Sequence, residues 1–494
     1  MNDSRYYVPH LEWESIPFPL TITKLASNES FFGFTNDSVL TIERTKDYRL
    51  VGILAGIAFE PTMLNEEKYI GKGNIIEGRT LIGEDEKGNI IELANCHIVS
   101  YYTNSLNKPA NGYFIQGNLI AEKLTITYKG QEELANYKRL DWFICSKPEA
   151  HFWGTTIRRS NSKAIKIRKG IDEHTEADEM NPGISWAKDY TKVDLEDFSF
   201  IIAKVPEKIF DSIHHGLCLE FRDDDKFIIP DESTINQIKK FISFILGNKL
   251  THIGYSIIKS TELQKAICYS LESDSLRLSA KTPMPPITFN TKYEWGDFSY
   301  LVTKLLPEYL TKNNKLKLGD ALSRYWISKG LPVGVNLPVL SSAVEIIATE
   351  YLKHQKEFNK EIIPDKKYAQ LIEAEIEKLQ AKLSAYPENE IIINNIKKAN
   401  KKSINVQMNA FFKLIGINVG KDEKSALHLR NKMVHGSRVY SKDEKVYDDL
   451  VLTRIYEVLF NRVFLKLLGY NDYYTDYSLQ NSPLKHISKS AGAA

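Results

Sequence analysis

The chain has 494 residues, of which 43% are hydrophobic and 26% charged, with Lys+Arg 65 against Asp+Glu 63. At roughly 150 residues per domain this is room for about three domains, and the composition is neither that of a disordered polyampholyte nor that of a membrane protein. The longest apolar run, Leu50 to Phe59, has ten residues, whereas a bilayer-spanning helix needs about 20.

No apolar leader follows Met1, and Cys96, Cys145, Cys218 and Cys268 lie 49, 73 and 50 residues apart among apolar or aromatic neighbours. Buried thiols in a reducing cytoplasm are expected, not a disulfide framework. Residues 341–494 carry a net +5 and residues 1–340 a net −3. The basic excess is local: between Ile391 and Tyr440 stand ten Lys/Arg against only Asp422 and Glu423. Such density fits either a solvated helical face or a phosphate-binding surface.

Short β-branched or alternating runs fill the first 285 residues: Val39 to Ile42, Asn74 to Ile76, Asn89 to Leu93, His97 to Tyr101, Leu124 to Tyr128, Ile165 to Arg168 and Ile253 to Ile258. These predict strands. Gly73 to Glu77 recurs as Gly88 to Glu92, the pattern of a meander of adjacent antiparallel strands. Leu217 to Phe221 followed by Phe227 to Ile229 predicts a hairpin, and Ile235, Ile238, Phe241 and Ile242 predict a helix over 234–246. A Ser-rich stretch with Pro283, Pro285 and Pro286 predicts a linker over 272–290.

Beyond the linker the apolar spacing becomes helical. Helices are predicted over 300–310, with a break at Pro307, over 318–328, from Pro338 to Tyr351, over 368–383 and 404–415, over 427–434 behind an Asp422 N-cap, and over 448–468. The fold class is therefore α+β multidomain. A β-rich region (1–285, divisible into two subdomains) precedes a helical connector (290–335), an all-α bundle (336–470) and a flexible tail (471–494).

One octapeptide carries the chemistry: Leu429-Arg430-Asn431-Lys432-Met433-Val434-His435-Gly436. On a helix Asn431 and His435 fall about 40° apart, whereas Arg430 and His435 are about 140° apart and ~7.5 Å along the axis. One helix cannot aim both at a single phosphate, but two copies crossing at a two-fold axis can, so the chemistry calls for a homodimer or a higher homo-oligomer. Arg offers a permanent bidentate charge and His exchanges protons near neutral pH. Together they suit a metal-free ribonuclease, in which His takes the 2′-OH proton and Arg stabilises the phosphorane, and which needs RNA because DNA lacks that hydroxyl. The same residues also suit a plainer role, His435 complementing a helix C-terminus and Arg430 standing as a surface charge.

Arg430, the polar Asn431 beside it, the apolar pair Met433-Val434, His435 and Gly436, near the end of a helical bundle and before one last helix, resemble the R-x4-6-H signature of the HEPN superfamily in its R-N-x-x-x-H form. The resemblance implies a metal-independent endoribonuclease without cofactor, acting as a dimer with a shared cleft. Arg430, Asn431 and His435 would be catalytic and Lys432 substrate-binding. A long β-rich N-terminal region ahead of such a domain is similar in layout to the ApeA family of anti-phage defence proteins, which implies an abortive-infection effector whose N-terminal region senses a phage protein and restrains the nuclease. The rival is a noncatalytic HEPN module that holds a nucleotide or RNA while the β-rich region serves as an interaction domain.

Other candidates have plainer explanations. His214, His215 and Cys218 lack a second ligand pair for zinc. Asp223 to Asp225 read as a solvated turn. Gly71, Gly73 and Gly78 lead into no phosphate-binding helix. Trp142, Phe143, Phe152 and Trp153 have strand spacing and read as core more readily than as base-stacking platforms.

Overall fold

The computed structural model describes residues 16, 18–25, 38–58, 79–104, 113–130, 137–146, 164–169, 172–177, 190–205, 215–223, 227–259, 262–287, 297–356, 358–434 and 443–492. Two compact units are present, Met1–Met284 with Phe289–Lys304, and Pro285–Thr288 with Leu305–Ala494. The first is β-rich and the second helical, so the chain is α+β.

In the first unit β1 (Leu20–Leu25), β2 (Val39–Arg44), β3 (Leu50–Ala58), β4 (Arg79–Asp85), β5 (Ile90–Asn104) and β6 (Tyr113–Ala121) form a closed antiparallel barrel. Closure follows from the pairings β1–β2, β2–β3, β3–β6, β6–β5, β5–β4 and β4–β1. A closed barrel leaves no strand edge to be capped. Period-two alternation fills it: Leu20, Ile22, Leu40, Ile42, Leu50, Leu54, Leu81 and Leu93 are buried, while Val39, Ile53 and Ile82 are exposed. Glycine is required at Gly83, which pairs with Leu25 just past the bulge between Ile22 and Lys24, where a Cβ would stand 2.6 Å from the Lys24 carbonyl oxygen.

The chain then builds β7 (Lys123–Thr127), β8 (Tyr137–Cys145), the separate hairpin β9 (Ala164–Lys169) and β10 (Asp172–Ala177), and β11 (Tyr190–Asp194), β12 (Ser199–Val205), β13 (His215–Arg222), β14 (Thr251–Lys259) and β15 (Glu262–Tyr269). All but the hairpin form an antiparallel sheet in the order β11-β12-β13-β8-β14-β15-β7. Because β7 also pairs with Ile90–Ala94 of β5, the long β5 belongs to sheet and barrel alike. Helix α1 (Glu232–Ile245) starts at Asp231, whose carboxylate accepts from Thr234 N at 2.7 Å, and buries Ile235, Ile238, Phe241 and Ile242, the positions its spacing indicated.

Two expectations are corrected here. Residues 227–230 form no strand, and β13 pairs with β12 and β8, because long-range partners outcompete a local turn. The proposed linker contains a helix, α2 (Ser273–Ser279). The Gly73 to Glu77 half of the meander lies outside the described residues; Gly88 to Glu92 enters β5 beside β4.

The helical part comprises α3 (Asp297–Leu316), α4 (Leu318–Gly330), α5 (Asn336–Lys353), α6 (Asp365–Leu383), α7 (Asn389–Lys398), α8 (Ile404–Leu414), α9 (Lys421–Val434) and α10 (Asp443–Leu467). Pro307 sits inside a continuous α3 rather than breaking it. The joint comes later, at Lys317, whose left-handed φ of 55° separates α3 from α4. Within the second unit α5 is central, packing against α4, α8, α9 and α10. Leu340, Ala343, Val344 and Ile347 of α5, Phe411 and Phe412 of α8, and Leu459, Phe460 and Val463 of α10 supply the core. Among the described residues no helix is long and apolar enough to cross a membrane.

Residues 471–492 are not a loose tail. Strands β16 (Tyr473–Thr475) and β17 (Leu484–His486) pair, and Tyr474, Asp476, Ile487 and Ala491 are buried. Their polar composition hid this, because the segment is held by buried hydrogen bonds more than by an apolar stripe.

Candidate functional site

Helix α9 is fixed at its start. Glu423 Oε2 accepts the Gly420 N–H at 2.9 Å and Lys424 N donates to the Gly420 carbonyl at 3.0 Å, so Gly420 takes the capping position expected of Asp422. The other Glu423 oxygen pairs with Arg462 of α10 and accepts Ala491 N at 3.0 Å. Arg462 in turn donates to the carbonyls of Ile487 at 3.0 Å and Asn418 at 3.1 Å. Both side chains are fully buried. A buried pair is tolerated when its remaining donors and acceptors are satisfied, as these are.

Among the described side chains of α9, Glu423, Ala426 and Leu429 are buried. Arg430 lies seven residues after Glu423, about 20° away around the axis, so the rotation that buries Glu423 also turns Arg430 inward. There its guanidinium pairs with Glu345 of α5 through Nη2, and its Nε donates to Ser341 Oγ at 3.3 Å. Ser341 and Glu345 are one turn apart on α5 and share a face. The Arg430 and Glu345 side chains keep 18% and 23% of their surface exposed, so the pair sits at the rim of the bundle and not in its core.

Burial pushes the Glu345 carboxyl above the ordinary carboxylate range, against the opposing pull of Arg430 and of Arg324 from α4. Tyr456 of α10, almost fully buried, has its phenol pushed up by burial and then by Glu345, with Arg430 opposing. Four helices thus bring two arginines, a carboxylate, a hydroxyl and a phenol to one place. Such a cluster can hold and orient a guanidinium and can receive an anion.

Of the residues singled out in the sequence, Arg430 is in this cluster, Asn431 and Lys432 follow it in α9, and His435 lies outside the described residues. Sequence reasoning missed Glu345, Ser341, Arg324 and Tyr456. Only Glu345 left a signal, an acid inside the apolar stretch Ala343 to Ala348.

The remaining candidates resolve differently. Trp142 and Phe143 are buried core residues of β8, Trp142 in a cluster with Leu140, Ile144, Cys218, Ile253, Ile258 and Leu271. Phe152, Trp153, His214, Asp224, Asp225 and the three glycines lie outside the described residues. All four cysteines are buried and free of disulfides.

A second charged cluster went unnoticed in the sequence. Fully buried Asp141 of β8 receives Arg139 in a bidentate pair at 2.8 and 2.9 Å, and His252 Nε2 lies 3.0 Å from its Oδ1. Arg139 also reaches Glu232 of α1 at 2.7 Å and lies 3.8 Å over the Tyr255 ring. The bulge between His252 and Gly254 puts His252 and Tyr255 on the same face of β14, beside Phe143 and Asp141. Burial would raise the Asp141 carboxyl, but His252 and Arg139 hold it below the usual range. Burial lowers His252, against the pull of Asp141. The charged residues Lys138, Arg139 and Asp141 leading into the apolar run Trp142 to Cys145 were the available hint. The cluster ties α1 to the sheet.

No family model, no curated protein and no solved structure matches the chain.

Proposed function

We propose that the helical part is a HEPN-type endoribonuclease domain and that the protein is a metal-independent RNase of anti-phage defence, restrained and triggered through its β-rich part. The observation that carries this is the pairing of sequence and position at Arg430: it opens an R-N-x-x-x-H motif and is turned inward by α9 into a polar cluster in a basic stretch.

In this reading His435 takes the proton from a ribose 2′-OH. The O2′–P bond forms and the P–O5′ bond breaks, leaving a 2′,3′-cyclic phosphate, while the departing 5′-oxygen takes a proton to become a hydroxyl. Arg430 stabilises the charge on the phosphorane, Asn431 orients the reacting groups and Lys432 holds the RNA backbone. The offset between Arg430 and His435 along one helix makes the working site a shared cleft of a homodimer.

One observation favours the rival of a noncatalytic RNA- or nucleotide-binding module: Arg430 is already engaged by Glu345. Expression of wild type and His435→Ala in bacteria challenged with phage, so that the restraint is released, separates the two. Growth arrest with RNA breakdown, lost in the variant, supports the nuclease; intact RNA in both supports the binding module.

A further inference from the structure

Glu345 holds Arg430 through Nη2, one of the donors an RNA phosphodiester would also use. A guanidinium fork accepts a carboxylate or a phosphate through the same donors, so the two anions compete for one place. Arg430 Nη2 pairs with Glu345, Nε donates to Ser341 Oγ at 3.3 Å, and both charged side chains remain partly open to solvent. A second guanidinium, Arg324 on the neighbouring helix α4, is close enough for its charge to act on the same carboxylate. Two arginines around one internal carboxylate carry a net single positive charge, a setting that an incoming phosphodiester monoanion matches once the carboxylate swings away.

We propose that Glu345 is an internal stand-in for the RNA phosphodiester: it occupies Arg430 in the resting protein and must be displaced before RNA can bind. This rests on the nuclease reading for the identity of the ligand. The restraint itself concerns binding and is tested without cleavage. A carboxylate already paired with Arg430 lowers the affinity of the site for RNA, and a partner that shifts α5 relative to α9 would release it.

The test uses the full-length chain and a fluorescent 2′-O-methyl RNA oligonucleotide, which cannot be cut because its 2′-oxygen is blocked. Glu345→Gln keeps the shape and removes the competing charge, and it should bind about 3- to 10-fold more tightly, with a steeper salt dependence from the added phosphate contact. Arg430→Ala should remove that gain when combined with Glu345→Gln. If Glu345→Gln does not fold, Glu345→Asp, whose reach is one methylene shorter, should shift affinity in the same direction. Unchanged or weaker binding, or a gain that survives loss of Arg430, overturns the proposal and makes Glu345 a residue that merely positions Arg430. A parallel incubation with natural RNA keeps the two ideas apart: tighter binding without cleavage by any variant removes the nuclease and leaves the restraint.

Discussion

Glu423 in the first turn of α9 and Arg462 in α10 form an ion pair with both side chains fully enclosed, and the pair also holds the C-terminal segment through Ala491 N and the Ile487 carbonyl. One contact therefore fixes the start of the helix that carries Arg430, the last long helix and the chain end. Removing one partner strands a buried charge, so Arg462→Met and Glu423→Gln should each destabilise the helical part by about 3–5 kcal/mol. Urea unfolding of full-length protein, followed by circular dichroism at 222 nm, reads this loss. Changing both residues together to apolar side chains should restore part of it.

The Asp141 cluster makes the β-rich part acid-sensitive. His252 is depressed by burial, so the unfolded chain takes up a proton below about pH 6.5 that the folded chain refuses, and stability falls as pH drops through that value. Asp141 is also depressed, so its contribution is present above about pH 3.9 and is lost as pH falls further toward its folded value. Melting temperatures should decline in two stages between pH 8 and pH 3. Asp141→Asn should lower stability by about 3–5 kcal/mol at pH 7 through loss of the Arg139 pair.

How much of this could be seen in the sequence depended on the reach of the interactions. Helices with a clean apolar stripe, such as α1, α5, α8 and α10, were found because their period is local. Helix α7 has ten residues, too few for its apolar period to repeat clearly, and was missed. Strand existence was readable from alternation, yet barrel closure depends on which distant strands pair, and β5 does double duty over a length no local rule sets. At the candidate site the chemistry of Arg430 was visible, whereas Ser341 and Glu345 come from residues 89 and 85 positions earlier, joined to it only by helix packing.

The shared cleft predicts complementation between inactive chains. Arg430→Ala protein retains His435, and His435→Ala protein retains Arg430, so a mixed dimer regains one complete half-site. After subunit exchange an equimolar mixture should recover on the order of a quarter of wild-type RNA cleavage, since half the dimers are mixed and each has one of two half-sites. Each variant alone should stay inactive. A mixture as inactive as its components, with exchange verified by tagged pull-down, contradicts the shared cleft.

The β-rich part should change activity without contributing chemistry. A fragment for this comparison should begin at or before Pro285, because the Pro286 carbonyl accepts Thr475 N at 3.0 Å and the Pro285 carbonyl accepts the Tyr477 hydroxyl at 3.0 Å. Fragment and full-length chain are expected to differ in bacterial toxicity, the fragment being toxic without phage or permanently silent. Equal activity and equal response to phage infection would assign the first 284 residues another task.

The central claim is that Arg430 and His435 cleave RNA by 2′-OH attack, with Arg and His supplying the charge stabilisation and proton transfer. The most direct measurement is incubation of full-length protein, purified from phage-infected cells so that the restraint is lifted, with RNA in excess EDTA, followed by analysis of the product ends. Cleavage should persist and leave 2′,3′-cyclic phosphates or ends derived from them, with His435→Ala slower by on the order of 10²-fold or more. Cleavage abolished by EDTA and restored by Mg2+, or cleavage undiminished in His435→Ala, would contradict it.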